Sequence, residues 1–135
     1  MDYEKSIEEI SKTLFELKEE NKKTPIVVEG EKDKKALHKL KIDGIIITIN
    51  NGLSLIDFCD EIAKRYKEII LLTDWDRKGG FLRYKIQKNL EGRVKCITKY
   101  REVFAKNTMT KTVEGIPSWI NTINNKIKKY DNKRV

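Results

Sequence analysis

The sequence contains one histidine, two cysteines and two prolines among its 135 residues. Because His38 stands alone, most zinc sites and the serine or cysteine triads that use a histidine are excluded. Cys59 and Cys96 are too far apart in the sequence to form a metal-binding pair, and we expect both thiols to be reduced and buried. If the protein is a catalyst, carboxylates and a metal ion must supply its chemistry.

Long apolar runs are also missing. No stretch approaches the roughly 20 apolar residues that span a bilayer, and the beginning of the chain, residues 1–5, lacks the basic and apolar blocks of a signal peptide. We therefore expect a cytoplasmic protein with no membrane partner. With 39% hydrophobic and 37% charged residues, a chain of this length is predicted to form one domain around a single core.

Positive charge is in excess. Lysine and arginine total 29 against 21 aspartate and glutamate residues, which gives a net charge of +8. A basic surface attracts polyanions such as nucleic acid. A basic protein that also carries a local cluster of carboxylates is suited to a metal ion that bridges the protein and a phosphate.

The apolar pattern predicts strands that alternate with helices. Strands are predicted at 26–29, 45–49, 69–73 and 94–97, and helices at 32–41, 54–66 and 80–90. Such alternation predicts a parallel sheet with right-handed crossovers, and strands that are almost entirely apolar indicate that both faces are covered. We therefore predict an α/β fold with a central four-stranded parallel sheet. In the helix at 54–66, with Ser54 as its cap, the residues expected to face the core are Leu55, Ile56, Cys59, Ile62 and Ala63.

Further helices are predicted at both ends of the chain. Residues 2–22 place an apolar stripe on one helix face, which either docks on its own domain or pairs with a second copy or another protein. A short helix is predicted at 101–106, and a last helix at 117–130 leads into a basic tail at 128–134. The predicted organisation is an N-terminal helix (1–23), a core (24–98) and a C-terminal extension (99–135). The N-terminal stripe consists of Tyr3, Ile7, Ile10, Leu14 and Leu17, and the stripe of the last helix consists of Ile116, Trp119, Ile120, Ile123 and Ile127.

Carboxylates and glycines follow two of the predicted strands. The first strand leads into Glu29-Gly30, and the third leads into Asp74-Trp75-Asp76-Arg77-Lys78-Gly79-Gly80. Because ligands bind beyond the carboxyl ends of parallel strands, Glu29, Asp74 and Asp76 are predicted to share one rim. Oxygen ligands suit Mg²⁺, with Mn²⁺ as a substitute. Glu29 either binds the metal or moves a proton during phosphoryl transfer, and the alternative for all three is a set of solvated turn acids.

Other residues extend this predicted site. Asp33 lies in the first turn of the following helix, where it either complements the helix dipole or binds a second metal ion. Arg77 and Lys78 stand beside Asp76 and before a helix, which makes them the best candidates to bind phosphate, with Lys32 as a further one. Asn51, in the turn at 50–52, either reaches a phosphate or serves only the turn.

The segments 26–33 and 72–79 together resemble the Toprim domain, which is shared by type IA and type II topoisomerases, bacterial-type primases, OLD-family nucleases, ribonuclease M5 and RecR proteins. The resemblance covers about residues 24–98, and it is closest to small stand-alone archaeal Toprim proteins and the M5-like group. It implies a Rossmann-like fold in which Glu29 is the general acid/base, Asp74 and Asp76 hold Mg²⁺, and Asp33 joins the metal site as in nuclease members.

The resemblance implies Mg²⁺-dependent cleavage or transfer of phosphodiester bonds in RNA or DNA, and the likeness to ribonuclease M5 favours RNA. The sequence lacks the DNA-gate domains of topoisomerases and the zinc-binding parts of primases, so neither complete enzyme is expected from this polypeptide alone. Two alternatives stay open. One is a non-catalytic module that binds nucleic acid or assembles other proteins on it, and the other is a subunit that gives its metal site to a larger complex.

Overall fold

The structure is a computed structural model that describes residues 2–133; Met1, Val135 and Arg134 of the predicted basic tail lie outside this range. Ten elements follow in chain order: α1 (Tyr3–Asn21), β1 (Ile26–Val28), α2 (Glu31–Lys39), β2 (Ile46–Thr48), α3 (Leu55–Arg65), β3 (Glu68–Leu71), α4 (Arg77–Leu90), β4 (Lys95–Ile97), α5 (Lys99–Asn107) and α6 (Ile116–Lys133). The strands form one sheet in the order β2-β1-β3-β4, and every neighbouring pair is parallel. The predicted α/β fold with a four-stranded parallel sheet is confirmed.

Successive strand residues point to opposite faces of the sheet, and helices cover both faces. On one face, Val28 and Ile70 belong to a core completed by side chains of α1, α2, α5 and α6. On the other face, Val27 and Leu71 pack with side chains of α3 and α4. All three residues of β1 are fully buried, which explains why the strands are continuously apolar instead of alternating with polar residues.

Helix α1 docks on its own domain through the predicted stripe. Ile10 and Leu17 are fully buried, and Tyr3, Ile7 and Leu14 pack against the same core. The helix lies against α5 and α6. Because the chain itself covers this stripe, a second copy or another protein would have to use a different face of α1, and such a partner stays a prediction.

The structure corrects one core residue and several boundaries. Ile56 does not face the core but is 65% exposed, because it lies about 100° around α3 from Leu55 and outside the stripe that Phe58 and Ile62 bury. Helix α4 begins at residue 77 instead of 80, and α5 spans residues 99–107 instead of 101–106. Cys59 is buried as expected, whereas Cys96 is only half-buried, and both are free thiols. Within residues 2–133, no helix has the length and apolar character needed to cross a membrane.

Asn21 ties the end of α1 to β2. Its side-chain amide donates to the carbonyls of Thr24 (3.1 Å) and Ile45 (3.0 Å), and its Oδ1 accepts from Gly44 N–H (2.8 Å). We expect Asn21→Ala to lower the free energy of unfolding by about 1–3 kcal/mol, because the Thr24 carbonyl and the Gly44 N–H lose this partner, whereas the Ile45 carbonyl keeps its bond from Ile26 N–H. Urea unfolding measures this. The control is Asn124→Ala on an exposed position of α6, which should stay within about 0.5 kcal/mol of wild type. An equal loss of stability in both variants would show that the hydrogen bonds of the Asn21 side chain do not stabilise the fold.

Candidate functional site

The candidate site lies at the carboxyl ends of β1 and β3, which are paired neighbours in the middle of the sheet. β2 lies on one side of β1, whereas β3 and β4 lie on the other, so the order of the strands reverses at this point. Such a switch point is where open α/β sheets bind ligands. Glu29 follows β1 directly, and Asp74 follows β3 after two buried residues, Leu72 and Thr73. The residues that follow both strands therefore lie at the switch point of the sheet.

Glu29 and Asp74 are in direct contact. The Glu29 carboxyl group, on a residue only 9% exposed, accepts a hydrogen bond at Oε2 from the backbone N–H of Asp74 at 2.8 Å. The hydrogen bond from Leu72 N–H to the Val27 carbonyl, also 2.8 Å, continues the strand pairing up to this point. The sheet thus fixes the position of Glu29 relative to the loop that carries the two aspartates.

Asp74 lies in a field of negative charge. Burial and, to a smaller extent, the charges of Asp33, Glu29 and Asp76 together raise its pKa to about 7, against the lowering effect of a hydrogen bond from Val113 N–H. That N–H lies 2.9 Å from Asp74 Oδ1. The structure therefore brings the other three predicted acids close enough to Asp74 for their charges to act on it. We call Glu29, Asp33, Asp74 and Asp76 the carboxylate cluster.

Asp33 and Asp76 also hold the backbone at the starts of their helices. Asp33 Oδ2 accepts from Gly30 N–H at 3.1 Å, and burial raises the pKa of Asp33 against the effect of that bond. Asp76 is the N-cap of α4, and its Oδ1 accepts from Gly79 N–H at 2.7 Å. Both aspartates are thus held in place by their own helices before any ligand binds.

Gly79 allows the loop between β3 and α4 to close on itself. A Cβ atom at this position would lie 1.8 Å from the carbonyl oxygen of Asp74. The Thr73 hydroxyl donates to the Gly79 carbonyl at 2.8 Å, which closes the same turn from the other side. The glycine is required here by this close approach of the two backbone segments.

Arg101, on α5, is a site residue that sequence reasoning missed. Its guanidinium donates to the Asp74 carbonyl from Nη2 (2.9 Å) and Nε (3.2 Å), and from Nε to the Thr73 carbonyl (3.2 Å). Burial lowers the pKa of Arg101, as does the charge of Arg83, whereas Asp76, Asp74 and Glu29 raise it. The positive charge of the Arg101 guanidinium therefore lies against the backbone of the loop that carries Asp74 and Asp76. No local pattern links this arginine to a loop 27 residues earlier.

The segment between α5 and α6 holds the same loop. The backbone N–H of Trp75 donates to the Lys111 carbonyl (3.0 Å), and its indole N–H donates to the Thr110 carbonyl (2.6 Å). The Trp75 ring packs on Phe104 of α5, with ring centres 5.7 Å apart. The Trp75 side chain is thus held between α5 and the segment that precedes α6. We call residues 110–114 the clamp segment, because its backbone contacts both Trp75 and Asp74.

The predicted phosphate contacts lie at different places. Arg77 and Lys78 are exposed in the first turn of α4, beside the carboxylate cluster. Lys32 is exposed on α2 and lines a cleft between α2 and the start of α6. Asn51 caps its own turn by accepting from Leu53 N–H at 3.1 Å, and it lines a cleft between β2 and α3. The positions of Arg77 and Lys78 are therefore the best suited to a phosphate at the acids.

A family model described as the Toprim domain matches residues 24–107. The chain belongs to the Toprim family. The match includes α5, and with it Arg101, in addition to the two acidic segments. The predicted family and fold are thus confirmed, whereas the likeness to ribonuclease M5 and OLD-family nucleases stays a prediction.

The relatives of this chain include archaeal UPF0292 proteins. One from Thermoplasma volcanium is 40% identical over 99 residues, covering 73% of this chain and 83% of the relative. Another, from Methanocaldococcus jannaschii, is 36% identical over 117 residues, covering 84% and 91%. A solved structure of a protein from Aquifex aeolicus superposes with a TM-score of 0.63 at 29% identity, covering 71% of this chain and 88% of that one.

Toprim domains typically bind Mg²⁺, and the donors of this Toprim site fit that ion in a specific way. Among residues 2–133, no three His, Cys, Asp or Glu side chains converge closely enough to enclose a metal ion by themselves. Mg²⁺ seldom needs such a cage, because it keeps several waters and is usually bound by one or two carboxylates together with substrate phosphates. The carboxylate cluster has the oxygen donors for this mode of binding, and the charges of its members act together on Asp74.

Proposed function

We propose that this Toprim domain cleaves or transfers phosphodiester bonds in nucleic acid with the help of Mg²⁺, for which Mn²⁺ can substitute. The observation that carries the proposal is the carboxylate cluster at the switch point of the sheet, where mutual repulsion and burial raise the pKa of Asp74 to about 7. A cation relieves that repulsion. The net charge of +8 on the chain favours a polyanionic substrate.

Each residue has a role in this proposal. Glu29 is the general acid/base, because the Asp74 N–H holds its carboxyl group through one oxygen at the switch point of the sheet. Asp74 and Asp76 hold Mg²⁺, and Asp33 supports them or binds a second ion. When bound, the metal stabilises negative charge on the phosphate oxygens. Arg77 and Lys78 bind the phosphate, and Lys32 and Asn51 contact the nucleic acid farther out.

The proposal is tested by incubating the purified protein with labelled single-stranded, duplex and hairpin RNA and DNA. Each substrate is tested with Mg²⁺, with Mn²⁺ and with a chelator. We expect cleavage in either metal and none in the chelator, with RNA cut faster than DNA, as the M5 likeness favours. Absence of cleavage on every substrate would reject the catalytic role.

A second function is favoured by one observation. Asp33, Asp74 and Asp76 each already accept a backbone N–H bond, so the cluster also organises the fold. The protein would then bind nucleic acid or assemble partners without turnover, or complete the metal site of a larger DNA- or RNA-processing complex. Salt-sensitive binding that survives Asp76→Asn, without cleavage, would support the binding module. A partner that co-purifies in stoichiometric amount would support the subunit role.

Binding of Mg²⁺ is expected to strengthen as the pH rises from 6 to 8. The metal must displace the proton from Asp74, whose pKa is about 7, so affinity should fall about tenfold per pH unit below that value. The raised pKa also means that the metal-free fold loses stability as the pH rises from the ordinary value of 3.8 toward 7, since the folded state holds the proton more tightly. Calorimetric titration at several pH values measures the affinity. The control Asp57→Asn, on an exposed position of α3, should leave the profile unchanged. An affinity independent of pH would contradict the metal role of Asp74.

A further inference from the structure

Helix α4 carries positive charge and no negative charge. Its 14 residues, RKGGFLRYKIQKNL, include five lysines or arginines and no aspartate or glutamate. The buried side of the helix is formed by Gly79, Ile86 and Leu90. Six residues lie on the opposite side and are all exposed, and we call them the α4 ridge: Arg77, Lys78, Phe81, Tyr84, Lys85 and Lys88.

The α4 ridge exposes two aromatic rings among its cations. Phe81 and Tyr84 are each 58% exposed, although burial of such large side chains is normally favourable. Lys85 Nζ lies 4.5 Å from the centre of the Phe81 ring. Phe81, Tyr84 and Lys88 are spaced by three and four residues, so they fall on one line along the helix. Aromatic rings interleaved with lysines on one helix face form a surface for flat, negatively charged polymers.

A groove runs beside this line, between α3 and α4. Its volume is about 480 Å³, and its lining includes Leu55, Ile56, Tyr84 and Lys85. Ile56, whose exposure contradicts the sequence prediction, forms part of the apolar wall. Of the described residues that line this groove, none is acidic. The groove offers an apolar space for a base next to cations for its phosphate.

The α4 ridge begins at the carboxylate cluster. Asp76 caps the helix, Arg77 is its first residue, and Lys88 lies about 18 Å farther along the axis. A strand that follows the ridge therefore leads directly to the acids. From these observations we infer that the α4 ridge is a stacking platform for single-stranded nucleic acid. That the ridge guides the strand to the carboxylate cluster for cleavage rests on the proposed function. The binding of single strands by the ridge does not rest on it.

Charge and ring exposure identify the occupant as a single strand. Exposed rings stack on bases whose faces are free, and each such contact contributes substantially to single-strand affinity whatever the sequence. The bases of a duplex already stack on one another, so a duplex meets only the lysines and arginines. The platform therefore distinguishes single strands from duplexes and accepts both RNA and DNA.

The test is fluorescence anisotropy with labelled 12-nucleotide RNA and DNA single strands and a 12-base-pair duplex. The full chain is used in a chelator, so that cleavage cannot occur. Phe81→Ala/Tyr84→Ala is expected to weaken binding of both single strands by roughly 30-fold or more and binding of the duplex by less than about threefold. The matched control is Phe15→Ala, because Phe15 is a 65% exposed aromatic residue on α1; it should change affinity by less than about twofold.

Three results would overturn the inference. The first is unchanged single-strand affinity in the double variant, and the second is an equal loss for single strands and duplex. The third is a concentration-dependent dimer, seen by sedimentation, that the double variant abolishes without any change in oligonucleotide binding, since that would assign the ridge to a second copy. Failure of the proposed function gives a different result: wild-type protein that binds single strands through the ridge but does not cleave them in Mg²⁺.

Discussion

Glu29→Gln is expected to lower the rate of Mg²⁺-dependent cleavage by at least about 100-fold while leaving the fold intact. Glutamine keeps an oxygen that can accept the hydrogen bond from Asp74 N–H, which lies 2.8 Å from the Glu29 carboxylate. The loop that carries the aspartates therefore stays in place. The amide cannot take up or release a proton, so only the acid/base step is removed. The measurement is the single-turnover cleavage rate on the best substrate of the panel.

Glu31→Gln is the matched control for this experiment. Glu31 lies two residues away in the same Glu-Gly-Glu segment, but its side chain is exposed at the start of α2. We expect its cleavage rate to stay within about twofold of wild type, as for most surface substitutions. Thermal unfolding of both variants checks the fold. Equal cleavage by wild type and Glu29→Gln would point to a contaminating nuclease and remove Glu29 from the mechanism.

Gly79→Ala is expected to lower the free energy of unfolding by about 3 kcal/mol or more. The new Cβ would lie 1.8 Å from the Asp74 carbonyl oxygen and 2.5 Å from its carbon, and both are backbone atoms that cannot turn aside. Either α4 or the loop must move, which separates the Asp76 cap from its N–H partner and displaces Asp74. Mg²⁺ affinity should fall together with stability. Urea unfolding and calorimetric titration measure the two effects.

Gly80→Ala is the control from the next position. A Cβ there lies 3.6 Å from Arg101 Nη2, which is an ordinary contact. Since alanine is a better helix former than glycine, this variant should be neutral or up to about 1 kcal/mol more stable than wild type. If both substitutions destabilised the protein equally, glycine would be needed for helix α4 in general and not for the close approach to Asp74.

The sequence allowed the sheet and the acids to be predicted because both depend on local patterns. A buried parallel strand needs a continuous apolar run, and the residues after such strands must meet at one edge, so Glu29 and Asp74 could be placed together. The start of α4 was predicted three residues late. An aspartate is a common N-cap, so Asp76 is compatible with a helix that begins at residue 77. The two adjacent glycines, Gly79 and Gly80, disfavour a helix interior, and the helix was therefore predicted to begin only at residue 80.

Arg101 and the clamp segment could not be found in this way. Their contacts with the β3–α4 loop join residues 27 to 39 positions apart, and they depend on how α5 packs on the sheet. The clamp segment holds the loop through the carbonyls of Thr110 and Lys111 and the N–H of Val113, which are backbone groups, so residue type in this segment carries no signal. The sequence also does not show that Ile56 is exposed. An apolar residue next to a helix stripe can either join the core or line a surface groove, and the sequence pattern is the same in both cases.

The clamp segment sets a lower limit on the length of chain that carries this site into another protein. The strand–loop pairs with Glu29 and Asp74 carry the acids, but Asp74 is held by Val113, Trp75 by Thr110 and Lys111, and the Asp74 carbonyl by Arg101. A graft that ended after β4 would transfer the acidic side chains without α5 and the clamp segment, which fix their positions. A unit that carries this site therefore has to extend at least from the start of β1 through residue 114, together with whatever covers the sheet face that α1 and α6 cover here.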